Sequence, residues 1–368
     1  MMKEKRDKIV VGITHGDING IGYEIMIKTL ADPRITDFCT PIVYGSPKAF
    51  AFYRKQLGIE NFSLNLITKP SEANPKRPNI INCMDDSVKV EVGQSTKQAG
   101  DGAVAALQMA IKDMKAGELD VLLTAPINKK NVQSDKYTFP GHTEFLAAEY
   151  NTSDYLMIMV SDVMKIGVVT GHIALKNVPT SISKDLILKK LEIMNQSLLQ
   201  DFVLTKPKIA VFGLNPHCGD DGLIGSEENE IIAPAIEEAK KRGIMAFGPY
   251  SADGFFGSDA VRDFDAILAM YHDQGMIAFK AMAFDTGVNY TAGLPIIRTS
   301  PAHGTAYEIA GKNIAHPDSF RSALYMACDI YKNRQQYNEL TANPLKKEQI
   351  DSINEKDSFH DSKIEKDA

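Results

Sequence analysis

Short apolar runs alternate with helix-like patterns along most of the chain. The runs are rich in β-branched residues and predict buried strands at 8–14, 120–125, 165–170, 208–214 and 264–271. Between them, residues 101–115 and 227–242 carry apolar positions at helical spacing, and Gly117 and Gly243 stand where those helices would end. Near-continuous apolar strands that alternate with helices predict a mainly parallel sheet with helices on both faces.

Two segments interrupt this pattern. Residues 69–90 are richer in proline, asparagine and charge than their neighbours, which predicts a surface excursion. From 343 to 368 apolar residues become rare, and Lys, Glu, Asp and Ser dominate. A segment of that composition buries too little apolar surface to order itself, so 343–368 is predicted to be a disordered tail.

Composition and charge narrow the class of protein. The 368 residues suit two domains or one large α/β unit. A net charge of -6 argues against nucleic acid or an anionic membrane as a partner, because either would require a basic face. No apolar run approaches the roughly 20 residues that span a bilayer, and the N-terminal stretch lacks a signal-peptide pattern. The four scattered cysteines form no CxxC pair, which favours reduced thiols and a cytoplasmic location.

Three histidines follow predicted strands. His172 lies two residues after the strand at 165–170, His217 three after 208–214, and His272 directly after 264–271. Because the carboxyl ends of parallel strands open onto a common crevice, three imidazoles placed there could converge on one divalent metal ion. Three protein ligands would leave a position for substrate. The alternative is that they are unrelated polar residues at the starts of loops.

Other polar side chains point to an anion site beside these histidines. His142 and Thr143 stand at a predicted helix start, where free backbone N–H groups favour anions, although Thr143 is also an ordinary cap residue. Lys280, Asn289 and Arg298 follow the third histidine in apolar surroundings and suit a phosphate or carboxylate clamp.

Carboxylates also lie in the histidine loops. Asp273 and Asp253 are candidates for orienting the imidazoles or completing a metal site, and turn chemistry is the alternative. The glycines Gly16, Gly20 and Gly22 spell neither GxGxxG nor a P-loop, so a tight turn explains them equally well. GxSxG and HExxH are absent from the sequence, which removes the commoner hydrolase interpretations.

A series of motifs resembles one enzyme family. In order, they are ITHGDINGIGYEI, TAPINK, FPGHTEFLA, GLNPHCGDDGLIGSEE, GPYSADGFF, AMYHDQGMIAFK and GLPIIRTSPAHGTAYEIAG. Across roughly residues 8–335 they resemble the 4-hydroxythreonine-4-phosphate dehydrogenases of pyridoxal phosphate biosynthesis. The last block is also similar to the cofactor loop of isocitrate and isopropylmalate dehydrogenases. In the first block, Ile18, Asn19 and Tyr23 depart from the family pattern at positions expected near the substrate.

The resemblance implies an α/β fold of two α/β/α domains with a central cleft, as in isocitrate and isopropylmalate dehydrogenases. Residues 1–125 together with 285–342 would form the first domain, which carries both ends of the fold. Residues 126–284 would form the second, with the metal histidines. The family also implies a homodimer whose active site lies at the subunit interface.

Specific residues carry over from the family motifs. The metal ligands would be His172, His217 and His272, holding Zn, Mg, Co or Mn. Substrate would be bound by His142, Thr143, Lys280, Asn289 and Arg298. The cofactor would be NAD, with NADP as the alternative, bound at His303, Gly304 and Ala306. Lys280, Asp273 and Asp253 are the candidates for proton handling.

The activity implied is oxidation of 4-phosphooxy-threonine to a 3-keto acid, which decarboxylates to 3-amino-2-oxopropyl phosphate in pyridoxine 5'-phosphate biosynthesis. One alternative is a paralogue that oxidises 4-phospho-threonate or 4-phospho-erythronate, which lack the amino group. A second is a three-histidine metal hydrolase or lyase without nicotinamide. A third is a catalytically silent metabolite-binding protein.

Overall fold

A computed structural model of the chain describes residues 7–85, 87–135 and 137–343. The tail predicted at 343–368 therefore lies outside the described residues, apart from Asn343. No helix in the described part is long and apolar enough to cross a membrane.

Twelve strands of the described residues form one sheet, in the order β3-β4-β2-β1-β5-β12-β11-β6-β7-β10-β8-β9. The strands are β1 (Ile9–Thr14), β2 (Cys39–Gly45), β3 (Asn65–Ile67), β4 (Asn79–Asn82), β5 (Val121–Thr124), β6 (Leu156–Val160), β7 (Lys165–Thr170), β8 (Lys208–Phe212), β9 (Met245–Tyr250), β10 (Ala266–Tyr271), β11 (Val288–Ala292) and β12 (Arg298–Pro301).

Eleven α-helices connect or cover these strands within the described residues. They are α1 (Gly22–Leu30), α2 (Arg34–Phe38), α3 (Pro47–Gln56), α4 (Lys97–Lys115), α5 (His142–Glu149), α6 (Val178–Ser181), α7 (Lys184–Gln200), α8 (Ala233–Lys241), α9 (Ala252–Phe256), α10 (His272–Ala283) and α11 (Asp318–Thr341). Short 3-10 segments occur at Pro70–Glu72, Leu175–Asn177, Pro216–Gly222 and Asp259–Asp263, and a π-helical turn at Glu228–Ile232 precedes α8.

The predicted elements are confirmed with small shifts in their ends. The five predicted strands are β1, β5, β7, β8 and β10, each within two residues of its predicted bounds. Helix α4 begins at Lys97, ahead of the predicted 101, because the Thr96 side chain caps it by accepting a hydrogen bond from the Ala99 N–H. It stops before Gly117, which has a φ of 77°.

The sheet is parallel at both ends and antiparallel in the middle. Strand β6 runs antiparallel to both β7 and β11, and β11 runs antiparallel to β12. The cause at β6 is local: residues 161–164 form a tight hairpin, closed by a hydrogen bond from the Ser161 N–H to the Met164 carbonyl. A connection this short joins only antiparallel strands. The prediction of a mainly parallel sheet is therefore correct for the two ends of the sheet but not for its centre.

Residues 69–90 are predicted to form a surface excursion, and this prediction is wrong for the part of the segment that forms β4. This strand lies inside the sheet between β3 and β2, with Ile80 and Ile81 buried. Asn79 is also buried, and its amide is satisfied by the Asn65 side chain and by the carbonyls of Arg77 and Pro41. Because every polar atom of the amide finds a partner, asparagine is compatible with burial here.

Helices cover both faces of the sheet, which confirms the predicted α/β class. On one face a single apolar cluster runs the length of the sheet beneath α1, α7, α8 and α11. On the other face the core divides into one cluster under α4 and α5 and another under α9 and α10. The bounds of the two predicted domains stay a prediction.

Candidate active site

A cavity of about 630 Å³ opens between the two clusters of the divided face. The ends of β5, β7 and β12 line it, together with the starts of α5 and α10. It brings together the predicted site residues His142, Thr143, His172, His272, Lys280, Asn289, Arg298, His303 and Gly304. The remaining predicted residues, His217, Asp253, Asp273 and Ala306, do not line it.

One end of the cavity is built to hold an anion. Arg298 is only 3% exposed, and its Nε and Nη2 donate to the Thr124 hydroxyl over 3.0 and 2.7 Å. Burial lowers its pKa to about 10, so the guanidinium still carries its charge at neutral pH. Among the described residues its hydrogen-bond partners are hydroxyl groups only, Thr124 and Thr291. A buried cation that has no hydrogen-bonded carboxylate partner is suited to binding an anion.

Three polar groups surround this guanidinium. The buried Oδ1 of Asn289 has no hydrogen-bond partner among the described residues, so it is available to a ligand. The Thr143 hydroxyl lies 3.4 Å from that of Thr291. Burial and the nearby charges of Arg298 and Lys129 hold the pKa of His142 well below its usual value, so its imidazole is neutral.

The other end of the cavity holds a pair of histidines. The rings of His172 and His272 lie 5.1 Å apart between centroids. His172 Nε2 is 3.4 Å from the Lys129 ammonium, and burial followed by the charges of Lys129 and His272 lowers the His172 pKa. His272 Nδ1 is 2.7 Å from Asp273 Oδ1. A carboxylate on one ring nitrogen leaves the other free to act as a metal ligand.

His217 stands apart from this pair. It is exposed and begins a left-handed turn in which His217, Cys218, Asp220 and Asp221 all have φ between 43° and 55°. A left-handed conformation costs roughly 1–2 kcal/mol for each such residue. The Glu228 carboxylate anchors the base of the turn by accepting from backbone N–H groups at 214 and 215. Within the part of the chain that the structure describes, no three His, Cys, Asp or Glu side chains stand close enough to share a metal.

The three candidates for proton handling differ in position. Lys280 lines the cavity, whereas Asp273 and Asp253 do not. Asp273 is largely exposed and its carboxylate contacts His272, which suits a role in orienting that imidazole. A hydrogen bond from Ser251, followed by one from the Gly254 N–H, lowers the pKa of Asp253.

Comparisons with known proteins identify the family. The family model described as pyridoxal phosphate biosynthetic protein PdxA matches residues 37–327. The chain belongs to this PdxA family. It is 48% identical to 4-hydroxythreonine-4-phosphate dehydrogenase from Bacteroides thetaiotaomicron, over 99% of this chain and 100% of the relative. A relative from Oceanobacillus iheyensis, 38% identical over 88% of this chain and 98% of its own, is provisionally named D-threonate 4-phosphate dehydrogenase.

Solved structures agree with the PdxA assignment. The 4-hydroxythreonine-4-phosphate dehydrogenase of Klebsiella pneumoniae superposes with a TM-score of 0.74 at 34% identity, over 88% of this chain and 100% of that one. Isocitrate dehydrogenase from Methylococcus capsulatus superposes with a TM-score of 0.50 at 11% identity, over 90% of this chain and 88% of that one. The latter likeness concerns the fold alone. Both the family resemblance and the fold class predicted from the motifs are confirmed.

The predicted cofactor loop of this PdxA member is held against the first motif. The Thr305 carbonyl accepts from the Ile21 N–H, and the Tyr307 hydroxyl donates to Asp17 over 2.7 Å. A Cβ at Gly20 would lie 2.6 Å from the Thr305 carbonyl oxygen, so this position requires glycine. His303 lines the cavity, and its buried Nε2 has no partner among the described residues.

The PdxA-family departures in the first motif lie away from the cavity. Ile18, Asn19 and Tyr23 are completely buried and do not line it. The Asn19 amide bridges to Gln94 and Thr96. None of the three positions lines the cavity, because the loop that contains them packs into the core, and their distance from a bound substrate stays a prediction.

Sequence reasoning missed three charged residues that line the cavity, Lys129, Glu144 and Lys190. Lys129 belongs to TAPINK, which follows β5 as the histidines follow their strands, so the strand-end rule would have found it. Glu144 follows His142 and Thr143 in the first turn of α5. Lys190 lies in the middle of α7, where no local pattern distinguishes it from a solvated lysine.

Proposed function

We propose that this PdxA-family chain oxidises the 3-hydroxyl of 4-phosphooxy-threonine with NAD. The 3-keto acid formed loses CO2 to give 3-amino-2-oxopropyl phosphate, in pyridoxine 5'-phosphate biosynthesis. The observation that carries the proposal is the placement of the buried Arg298 and the His172–His272 pair in one cavity. The name of the 48% identical relative supports the same activity.

The Arg298 end suits the phosphate of this substrate. A guanidinium presents paired N–H donors that match phosphate oxygens, and Arg298 has a hydroxyl rather than a carboxylate as its present partner. The N-terminus of α5 adds free backbone N–H groups beside His142 and Thr143. Asn289 and Lys280 complete the polar wall.

The histidine end suits the hydroxyl that is oxidised. His172 and His272 are two of the three imidazoles expected to hold a divalent ion, and neutral imidazoles favour a transition-metal ion such as Zn or Co over Mg. When bound, such an ion polarises a substrate hydroxyl and makes it more acidic. Asp273 fixes the His272 ring through Nδ1. Lys280 Nζ is the cavity-lining group proposed to carry the hydroxyl proton.

NAD is proposed to bind at the loop of His303, Gly304 and Ala306. The nicotinamide supplies the hydride acceptor, and the chain supplies its orientation. Ala306 has a φ of 46°, and the loop around it is tied to Ile21 and Asp17. This anchoring supports a rigid cofactor platform at the cavity wall. A cytoplasmic location is part of the same proposal.

A homodimer is proposed to complete the site, because His217 lies outside the cavity of its own chain. Large exposed apolar side chains follow each of the three histidines along the chain, at Ile173, Leu175, Leu223, Ile224 and Ile277. Apolar surface of this kind marks an interaction face when it recurs around a functional site. A partner subunit that covers it could bring its own His217 to the His172–His272 pair.

Activity assays test the function directly. The purified protein, supplied with Mn²⁺ or Zn²⁺ and NAD, is expected to produce reduced nicotinamide from 4-phosphooxy-threonine. Faster turnover of 4-phospho-threonate or 4-phospho-erythronate would instead favour the amino-free acids, in line with the name of the Oceanobacillus relative. Failure of NAD to bind in calorimetry, with metal and substrate present, would point to a hydrolase or lyase.

A further inference from the structure

We propose that Glu144 binds the ammonium group of the substrate and thereby selects an amino acid over the amino-free acid. The inference rests on the proposed function and assigns a specificity-determining residue to it. The cationic Arg298 end suits the phosphate and the histidine pair suits the hydroxyl, so the amino group calls for a separate receptor.

Glu144 is the only carboxylate among the described residues that line the cavity. The other charged groups of the wall are cations, Lys129, Lys190, Lys280 and Arg298. A wall of cations suits the phosphate and carboxylate of the substrate but repels an ammonium group. An ammonium group that enters this cavity therefore has one anionic side chain to bind.

Glu144 lines the same cavity as Arg298 and His172, on the side of Lys129, whose ammonium contacts His172 Nε2. Its negative charge also acts on the buried Arg298 guanidinium, whose pKa it raises against the effect of burial. The substrate carries its amino group on the carbon next to the oxidised C–O carbon, and its phosphate on the other neighbour. A receptor for the amino group must therefore lie close to both ends.

The Glu144 carboxylate forms no salt bridge with another described residue. The ideal Cβ position at Gly141 lies 3.1 Å from Glu144 Oε2 and 3.8 Å from Lys129 Cε, so the two side chains flank the same point. Nevertheless the Lys129 ammonium lies against His172 Nε2, at 3.4 Å. No salt bridge or hydrogen bond joins the Glu144 carboxylate to another described residue, which leaves it available to a ligand.

An amino-free acid would gain less from this carboxylate. An ammonium group and a hydroxyl can each donate a hydrogen bond to the Glu144 carboxylate, but only the ammonium group adds the attraction between opposite charges. In 4-phospho-threonate a hydroxyl replaces the ammonium group, and the negative charge of Glu144 then adds repulsion to a more anionic substrate. The same side chain thus favours one substrate and disfavours the other.

If Glu144 served only to stabilise α5, its replacement would affect both substrates equally. Glu144 stands at the third position of α5 after Gly141, where a Glu or Gln side chain can cap a helix by accepting from the backbone N–H of the N-cap residue, here Gly141. Glu144→Gln keeps the shape and this capping ability but removes the charge. Glu149→Gln is a matched control, because Glu149 ends the same helix and pairs with Lys115 outside the cavity.

The test compares kcat/KM for 4-phosphooxy-threonine and 4-phospho-threonate in the metal-loaded wild type and both variants. We expect Glu144→Gln to reduce the preference for the amino acid by about 10- to 100-fold, mainly through a higher KM for that substrate. Glu149→Gln should leave the ratio within about twofold. Glu144→Asp, which retains the charge, should retain a preference above that of Glu144→Gln.

The possible failures are separable. An equal fall on both substrates, or no change in either, in Glu144→Gln would overturn the assignment of Glu144 and leave the proposed function intact. A wild type that oxidises neither substrate, or only the amino-free acid, would overturn the proposed function. If Glu144→Gln does not fold, Glu144→Ala and Glu144→Asp replace it. A substrate preference in Glu144→Ala equal to that of the wild type would decide against the inference. Equal preferences in Glu144→Asp and in a folded Glu144→Ser would do the same, because only the first of these keeps the negative charge.

Discussion

His15 is a buried titratable residue of the first motif that takes no part in lining the cavity. Its Nε2 lies 3.2 Å from the Gly102 carbonyl oxygen, which makes Nε2 the donor, and its buried Nδ1 has no partner among the described residues. Burial lowers its pKa from 6.5 to about 4, with the Gly102 hydrogen bond acting weakly in the opposite direction. Protonation of Nδ1 would therefore oppose folding.

The sign of the pH effect follows from these two pKa values. Between pH 6.5 and about 4 the unfolded chain binds a proton at His15 that the folded chain does not, so stability falls as the pH is lowered through this window. The loss attributable to His15 is about 3 kcal/mol in full. In His15→Gln, which keeps a donor for Gly102, we expect this part of the loss to disappear.

Denaturant unfolding at pH 7 and pH 4.5 measures the effect. His142, His172 and His303 also have lowered pKa values and contribute to the loss of stability at low pH. The contribution of His15 is therefore the difference between the loss in the wild type and the loss in His15→Gln. His316→Gln, at an exposed position, is the control and should lose as much stability as the wild type. Equal losses in wild type and His15→Gln would contradict the assignment.

At the scale of elements, the strand-end rule succeeds where a residue directly follows a strand. Strands β7 and β10 are neighbours in the sheet, with Thr170 paired to Tyr271, so His172 and His272 emerge at the same edge. Strand β8 also neighbours β10, but it ends at Phe212. Pro216 and the left-handed turn then carry His217 out of the cavity. Apolar periodicity predicts the strands and contains no information on such a turn.

A buried ionic network joins α7, β11 and α11. Asp201, at the end of α7, has a completely buried carboxylate that accepts from Arg334 Nε over 2.6 Å and from the Tyr290 and Ser197 hydroxyls. Arg334 also donates to the Tyr290 hydroxyl over 2.8 Å. Since Tyr290 adjoins Asn289 on β11, the network holds a cavity-lining strand in place.

Removal of one member of this network should be costly. We expect Asp201→Ala to lower the free energy of unfolding by about 3 kcal/mol, because it leaves the largely buried Arg334 guanidinium without a carboxylate partner. Asp101→Ala, which breaks the exposed pair with Lys97 on α4, should cost less than about 1 kcal/mol. Urea unfolding measures both, and similar costs for the two variants would show that the network contributes little.

At the scale of the whole molecule, the centre of the sheet joins segments that are far apart in sequence. Strand β11 lies between β6 and β12, so residues near 160 pair with residues near 290. Sequence patterns describe local periodicity, so they cannot predict which strands pair when the strands are more than a hundred residues apart in sequence. The predicted members of the anion end nevertheless meet, because Asn289 and Arg298 lie on the adjacent strands β11 and β12.

The same limit applies to contacts between subunits. The cavity of one chain contains His172 and His272 but not His217, and exposed apolar side chains follow all three. In the proposed homodimer, one subunit would supply the His172–His272 pair and the other would supply His217. A His172→Ala subunit paired with a His217→Ala subunit then contains one intact site and one that lacks both residues.

Subunit mixing distinguishes a shared site from one built within a chain. His172→Ala and His217→Ala are each expected to be inactive alone. After they are mixed in equal amounts and allowed to exchange, half of the dimers contain one subunit of each variant. Each such dimer holds one working site of two, so about a quarter of wild-type activity should return.

His172→Ala mixed with His272→Ala is the control, because the two rings lie in the same chain 5.1 Å apart and no intact site can form. Recovery in neither mixture, with exchange verified by differently tagged subunits, would place all three histidines of a site in one chain and would require the 216–222 turn to move toward the cavity instead.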